Sequence, residues 1–207
     1  EVIINHCHDL TSTLKPLIDQ HNLNKIGIEN SVLSVEEFDW FKEQLPNVTF
    51  TYLDNSVTSL REIKDQDEIN KLKSAAYMTD KAFEHIIGVV EVGMEEKEIA
   101  LELEVFMRKM GADSISFPII VASGLRSCLP HGIASDKTIE LGDLITIDFG
   151  CSVEGYKSDM TRTLVMGRAT DKQKEIYNVV RKSKDTAISS IKDGVNCCLV
   201  DSITREY

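Results

Sequence analysis

The sequence predicts a mixed fold, α/β or α+β, in two parts that meet near residue 59. Three observations carry this. Strand-like and helix-like segments alternate over residues 1–58. Two long stretches with apolar residues at helical spacing follow. After Gly111 the pattern changes to that of strands, punctuated by turn-forming residues.

In the leading part, Lys25-Ile26-Gly27-Ile28-Glu29 reads as a short strand. Residues 35–45 place Val35, Phe38, Phe41 and Leu45 at helical spacing, and Pro46 stops the helix. Val48–Leu53 is rich in β-branched and aromatic residues and reads as a strand. His6 and His8 could share a strand face as metal ligands. Two ligands make a weak site, so they read as polar residues near a chain end.

From Asp65 a long helix is predicted, with Asp65 and Glu68 in a capping-box arrangement. Ile69, Leu72, Ala76, Phe83, Ile86 and Val90 form its inward face, and Gly93 ends it. A second helix is predicted from about Glu95 to Met110, with Ile99, Leu103, Phe106 and Met110 inward and Gly111 beyond its end. Ser114–Ala122 is β-prone, and Pro118 within it argues for an edge or a bulge. A loop then carries Leu129-Pro130-His131-Gly132. Leu144–Phe149 and Met160–Met166 read as strands. Thr170 with Gln173 caps a helix over about 171–192, with Ile176, Val180, Ala187 and Ile191 inward. Residues 199–207 begin another helix.

Composition excludes several function classes. Of 207 residues, 34 are acidic and 23 basic, a net charge of −11. Neither part is basic enough to track a phosphate backbone, which argues against nucleic-acid binding. An anionic membrane surface would repel the chain. No apolar run approaches the ~18 residues of a spanning helix, and no signal peptide is recognisable. The chain begins at Glu1 rather than Met, which suggests a missing natural beginning. Cys7, Cys128, Cys151, Cys197 and Cys198 are odd in number and lack a CxxC pair, so they read as reduced thiols of a cytoplasmic protein.

The chemistry concentrates between Leu144 and Thr163. Two strands flank a turn-prone centre, and a two-residue connection centred between Val153 and Glu154 would set Asp148 directly across from Asp159. Their Cβ atoms would then lie about 5 Å apart. Two facing carboxylates repel unless a cation lies between them or one takes a proton. A divalent ion, or a pair about 3.5–4 Å apart, would relieve the repulsion. On spacing alone, Asp148 as a turn-side acid and Asp159 as a cap for Thr161 stays an open alternative. His131 lies in the loop entering these strands, where it could shuttle a proton or hold a substrate carbonyl; alone it reads equally as a surface residue. Arg162 could pair with one of the aspartates, or form a surface ion pair.

Taken together, Arg61–Ile69, Val121-Ala122-Ser123-Gly124, Leu129-Pro130-His131-Gly132, Gly142-Asp143, Asp148-Phe149-Gly150 and Gly155–Thr163 resemble the pita-bread metallopeptidases, above all bacterial Xaa-Pro aminopeptidases and Xaa-Pro dipeptidases (prolidases). The resemblance implies that residues 1–58 are part of a creatinase-like N-terminal α/β domain. It makes 59–207 the first half of the pita-bread α+β catalytic domain. It implies two divalent metal ions, usually manganese, with cobalt or zinc open. Asp148 and Asp159 match metal ligands, His131 the catalytic histidine, and Thr161 and Arg162 their supporting neighbours. The implied substrate is a peptide with proline at its second position, and a homodimer is plausible from the family. The family completes its site with a later His and two later Glu residues, and no His follows His131. The chain therefore reads as an inactive fragment. The alternatives are a methionine aminopeptidase-like enzyme, creatinase, which works without metal, and a pita-bread module that binds peptides without catalysis. Two retained aspartates argue against the last two.

Overall fold

The computed structural model describes residues 10–207, which form two compact units divided between Asp65 and Gln66. His6 and His8 lie outside the described residues.

The first unit contains α1 (Leu10–Gln20), β1 (Lys25–Ile28), α2 (Val35–Gln44), β2 (Thr49–Tyr52) and α3 (Ser56–Leu60). β1 and β2 pair in parallel, so α2 is the crossover of a β-α-β unit. Ser34 caps α2 in a reciprocal box with Glu37, which satisfies two otherwise unpaired N–H groups. Phe38 packs edge-on against Phe50, joining helix to sheet.

The second unit begins with two helices, α4 (Gln66–Ile87) and α5 (Glu96–Lys109). Six short strands follow: β3 (Ser114–Ile115), β4 (Ile120–Ser123), β5 (Leu144–Phe149), β6 (Cys151–Val153), β7 (Tyr156–Lys157) and β8 (Met160–Val165). A 3-10 turn over Gly124–Cys128 lies between β4 and β5, and α6 (Asp171–Ser190) and α7 (Cys197–Glu206) close the chain. The strands form two antiparallel three-stranded sheets, β3-β6-β7 and β4-β5-β8. The β-prone run 114–122 is thus two strands in different sheets, parted around Pro118, which cannot donate to a ladder.

β5 alternates strictly, with Ile145, Ile147 and Phe149 buried and Leu144, Thr146 and Asp148 on the other face. The buried set joins Ala75, Ala82 and Ile86 of α4 and Ile99, Leu103 and Met107 of α5 in one core. The α4 stripe is Ala75, Thr79, Ala82 and Ile86; Ala76, placed inward by the sequence pattern, is exposed. On α5, Met107 rather than Met110 is fully buried. The predicted burial along α6 is not found: Ile176, Val180 and Ile191 are exposed and no residue of α6 is buried.

β5–β6 and β7–β8 are the two arms of one long hairpin. Its register is continuous from Leu144↔Val165 to Val153↔Tyr156. The turn is Glu154-Gly155, both with positive φ (49° and 84°), as a two-residue turn of this hand requires. This corrects the expected centre between Val153 and Glu154, which would have forced the β-branched Val153 into the left-handed region. Three contacts pin the tip. Glu154 N–H donates to Asp113, the Glu154 carboxylate pairs with Lys71 at 2.9 Å, and the Tyr156 hydroxyl meets Glu68 at 2.8 Å.

Midway, the arms pass from one sheet to the other at Gly150 and Ser158-Asp159. Ser158 N–H still donates to the Cys151 carbonyl, but Cys151 N–H bonds the Ser158 hydroxyl. The freed Ser158 carbonyl accepts from Ser116 Oγ at 2.7 Å, and Ser158 Oγ meets Thr79 Oγ1 at 2.6 Å. A Cβ on Gly150 would run into the Ser158 carbonyl, so only glycine lets the arms approach this closely. Gly150→Ala is therefore expected to cost about 2–3 kcal/mol by overpacking. Urea unfolding of the two proteins checks this, and equal midpoints would show that the arms can part freely.

Candidate metal and active site

Asp148 ends the outward face of β5, and its direct partner across the hairpin is Thr161, not Asp159. The expected Asp148–Asp159 pairing is thus corrected by two positions along the second arm. A shift of two keeps the pleat, so Asp159 still belongs to the face that bears Asp148, as its diagonal neighbour. Diagonal neighbours are about 7–8 Å apart, within reach of two carboxylates turned toward a common point.

The electrostatics follow from this placement. Burial is the main cause that raises the Asp148 carboxyl above its ordinary 3.8. The Thr161 side chain, hydrogen-bonding to it, pulls the value down; the charge and contact of Asp159 push it up again; the nearby His131 lowers it slightly. Asp148 Oδ1 is buried with no hydrogen-bond partner. A buried carboxylate oxygen without a donor is costly, and a second acid beside it adds repulsion. The two aspartates offer hard oxygen donors, and a divalent cation would satisfy both demands, so they fit a metal ion. Among the described residues, no group of three or more His, Cys, Asp or Glu is arranged to hold one.

His131 is exposed on the loop between the 3-10 turn and β5. A row across the sheet explains its proximity to Asp148: Ile133 bridges Ile120, Ile120 pairs with Asp148, and Asp148 pairs with Thr161. Gly132 lets this loop lie against β4, since a Cβ there would stand 2.8 Å from that of Ala122. Arg162 goes elsewhere. It pairs with Ile147 on the helix-facing side, its guanidinium lies 5.8 Å from the centre of the Phe83 ring, and it donates to the Thr161 carbonyl. The pleat separates it from the face of Asp148; the Thr161 side chain is the one that hydrogen-bonds the Asp148 carboxylate.

Sequence reasoning missed Glu96. This acid is wholly buried at the first turn of α5. Its Oε1 accepts from the N–H and hydroxyl of Ser123, at 2.7 and 2.8 Å. Its Oε2 accepts from Arg126 Nε, Ser135 N–H and Ser135 Oγ. Burial raises its pKa, but these donors outweigh burial and hold it below the usual carboxylate value. A signal did exist: Glu96 falls on the apolar stripe of Ile99, Leu103 and Met107, where an acid needs an explanation.

Comparison with known proteins decides the family. Residues 70–207 match the model of metallopeptidase family M24. The chain belongs to that family. Residues 2–63 match the creatinase/prolidase N-terminal domain, the leading domain the sequence motifs imply. Among relatives of this M24 chain, an Xaa-Pro dipeptidase of Pyrococcus furiosus is 40% identical over 185 residues, covering 89% of this chain and 53% of the relative. An uncharacterised peptidase of Bacillus subtilis, YqhT, is 40% identical over 205 residues, 99% of this chain and 58% of its own length. An Xaa-Pro dipeptidase structure from Bacillus anthracis superposes with TM-score 0.91 at 43% identity, covering 99% of this chain and 57% of that one. An X-Pro aminopeptidase structure from Thermotoga maritima gives 0.93 at 38%, covering 100% and 58%. The chain spans about half the length of the curated relatives it matches.

The strain at Asp148 has a sign. Its carboxyl ionises less readily in the fold than in the unfolded chain. The resulting penalty is absent well below pH 3.8 and grows as pH rises from there through the raised folded value. With metal chelated, Asp148→Asn should stabilise the protein at pH 7 by about 0.5–1 kcal/mol, and the gain should vanish near pH 3. Thermal unfolding at both values measures it; a destabilised variant at pH 7 would mean that Asp148 is satisfied without a cation.

Proposed function

We propose that the complete protein carrying this sequence hydrolyses the peptide bond that precedes proline, as an Xaa-Pro aminopeptidase or dipeptidase. The observation that carries the reading is the pair Asp148 and Asp159 on one sheet face, with Asp148 Oδ1 buried and unsatisfied. The Xaa-Pro names of the relatives supply the bond class.

Asp148 and Asp159 would hold divalent metal, manganese in the first place, with cobalt or zinc compatible with such oxygen donors. When bound, the metal supplies positive charge that acidifies water and polarises the scissile carbonyl. The protein's own residues do the rest. Thr161 fixes the rotamer of Asp148 through its hydrogen bond. The exposed imidazole of His131 meets the substrate and carries a proton between solvent and the reacting amide at a ring nitrogen. The core beneath β5 keeps the two acids from splaying apart. Arg162, on the other face, braces β8 against Phe83 of α4. The substrate is a peptide with proline in second position, and the setting is a cytoplasmic homodimer. The four described cysteines are free, which suits a reducing compartment. Among the described residues no helix is long and apolar enough to cross a membrane.

Two carboxylates are too few donors for a tight dinuclear centre, so the 207 residues alone are expected to bind Mn²⁺ weakly and to be inactive. Calorimetric titration and an assay on an Xaa-Pro dipeptide test this; tight stoichiometric binding or proline-directed cleavage would refute it. In the complete protein, Asp148→Asn should cost more than the ~100-fold in metal affinity that loss of an outer neighbour brings, and abolish turnover. Unaltered metal content and activity would remove Asp148 from the site.

A further inference from the structure

The loop that carries His131 has no regular secondary structure of its own between the 3-10 turn and β5. Its geometry must come from outside. Lys137 and Asp143 tie its far part together, and the largest convergence of bonds on the part that flanks His131 is at one group, the Glu96 carboxylate. Five donors reach it, and they come from both ends of the segment 123–135: Ser123 at its start, Arg126 in the 3-10 turn, and Ser135 beyond the histidine. Arg126 extends the clamp inward, since its Nη2 donates to the Ile133 carbonyl at 2.7 Å, two residues from His131. Glu96 itself is rigid. It is fully buried on the first turn of α5, a helix whose Ile99 and Leu103 are also fully buried in the core.

We propose that Glu96 is a positioning residue for His131: its buried carboxylate draws the two ends of segment 123–135 together and so sets the imidazole over the Asp148–Asp159 face. This rests on the role given to His131 above. The scheme has a further basis in the backbone. Glu96 N–H donates to the Lys137 carbonyl, Lys97 N–H donates to the Ser135 carbonyl, and Glu95 bridges Thr138. These bonds do not need the Glu96 side chain, so α5 stays joined to residues 135–138 when the carboxylate is altered. What is lost is the side-chain tie that joins residues 135–138 to Arg126 of the 3-10 turn and to Ser123, which the β4–β5 ladder itself holds in place. Glu96→Gln keeps the shape but replaces one acceptor oxygen by a donor, which then faces other donors.

The test has two readouts. In the 207-residue chain, amide hydrogen exchange over 123–135 should quicken about tenfold in Glu96→Gln, while α4 and the body of α5 exchange as before. In the complete, Mn²⁺-loaded protein with an Xaa-Pro dipeptide, kcat per folded site should fall about 10–100-fold with little change in KM. In a His131→Ala background the same substitution should add little, because both changes remove one function. Unchanged loop exchange overturns the proposal. So does a kcat loss that multiplies independently with that of His131→Ala, which is what a merely structural Glu96 would give. If His131→Ala alone turns over normally, the role of His131 fails and takes the positioning role with it; failure of this inference alone leaves His131→Ala slow and Glu96→Gln fast. Should Glu96→Gln not fold, Ser135→Ala, which removes one donor and leaves the carboxylate intact, carries both measurements with the same criteria.

Discussion

One hairpin, held in one register across two sheets, is the constraint on which the rest depends. Its arms carry Asp148 on one side and Asp159 and Thr161 on the other, so any slip would scatter the site. The register is fixed at the tip by Glu154-Gly155, whose positive φ values suit this turn alone, and by Lys71, Glu68 and Asp113 gripping the residues around it. It is fixed again at the crossing, where Ser158 gives its hydroxyl to the ladder and its carbonyl to Ser116. Between those pins the hairpin cannot slide by one residue without turning its apolar face outward.

The core beneath bears the cost of the face above. Ile145, Ile147 and Phe149 alternate with Thr146 and Asp148, and each fully buried side chain contributes about 1.5–3 kcal/mol. That is enough to hold an aspartate whose Oδ1 finds no donor beside a second acid. Local strain of this kind persists only where the surroundings over-determine the geometry, and here the core under β5 and the strands on either side of it do so.

Much of this was legible in the sequence, for reasons that differ by element. The long helices, the cap at Thr170 with Gln173 and the strand Leu144–Phe149 announce themselves by period and capping chemistry. The first helix, Leu10–Gln20, does not, because Pro16 inside it argues against a helix. The face of α4 turns on its small residues: Ala75 and Ala82 are fully buried, and a reading weighted by large apolar side chains selects Ala76 instead. On α6 the spacing of Ile176 and Val180 is a true amphipathic pattern, yet spacing cannot say whether a partner covers it, and here they are exposed. The turn was misplaced by one residue although Gly155 marked it. The face of the aspartates survived that error because the pairing moved by two. Arg162, left open between an aspartate partner and a surface ion pair, is a different case: the pleat sends Thr161 and Arg162 to opposite sides.

Two acids of the second unit, the buried Glu96 and the half-buried Asp148, show why a residue's type does not reveal its task. Burial alone would raise the pKa of both carboxylates. Around Glu96 the chain supplies five donors, and the carboxylate is driven lower, a charge the fold has accommodated. Around Asp148 it supplies the Thr161 hydrogen bond and a second acid, and the carboxylate is driven higher, a charge the fold has left open. The difference is not in the acids but in the donors brought by other elements: Ser123, Arg126 and Ser135 in one case, Thr161 against Asp159 in the other. A satisfied acid can organise a loop because it asks for nothing more. An unsatisfied one, held rigidly by a sheet, is ready for a ligand that brings positive charge.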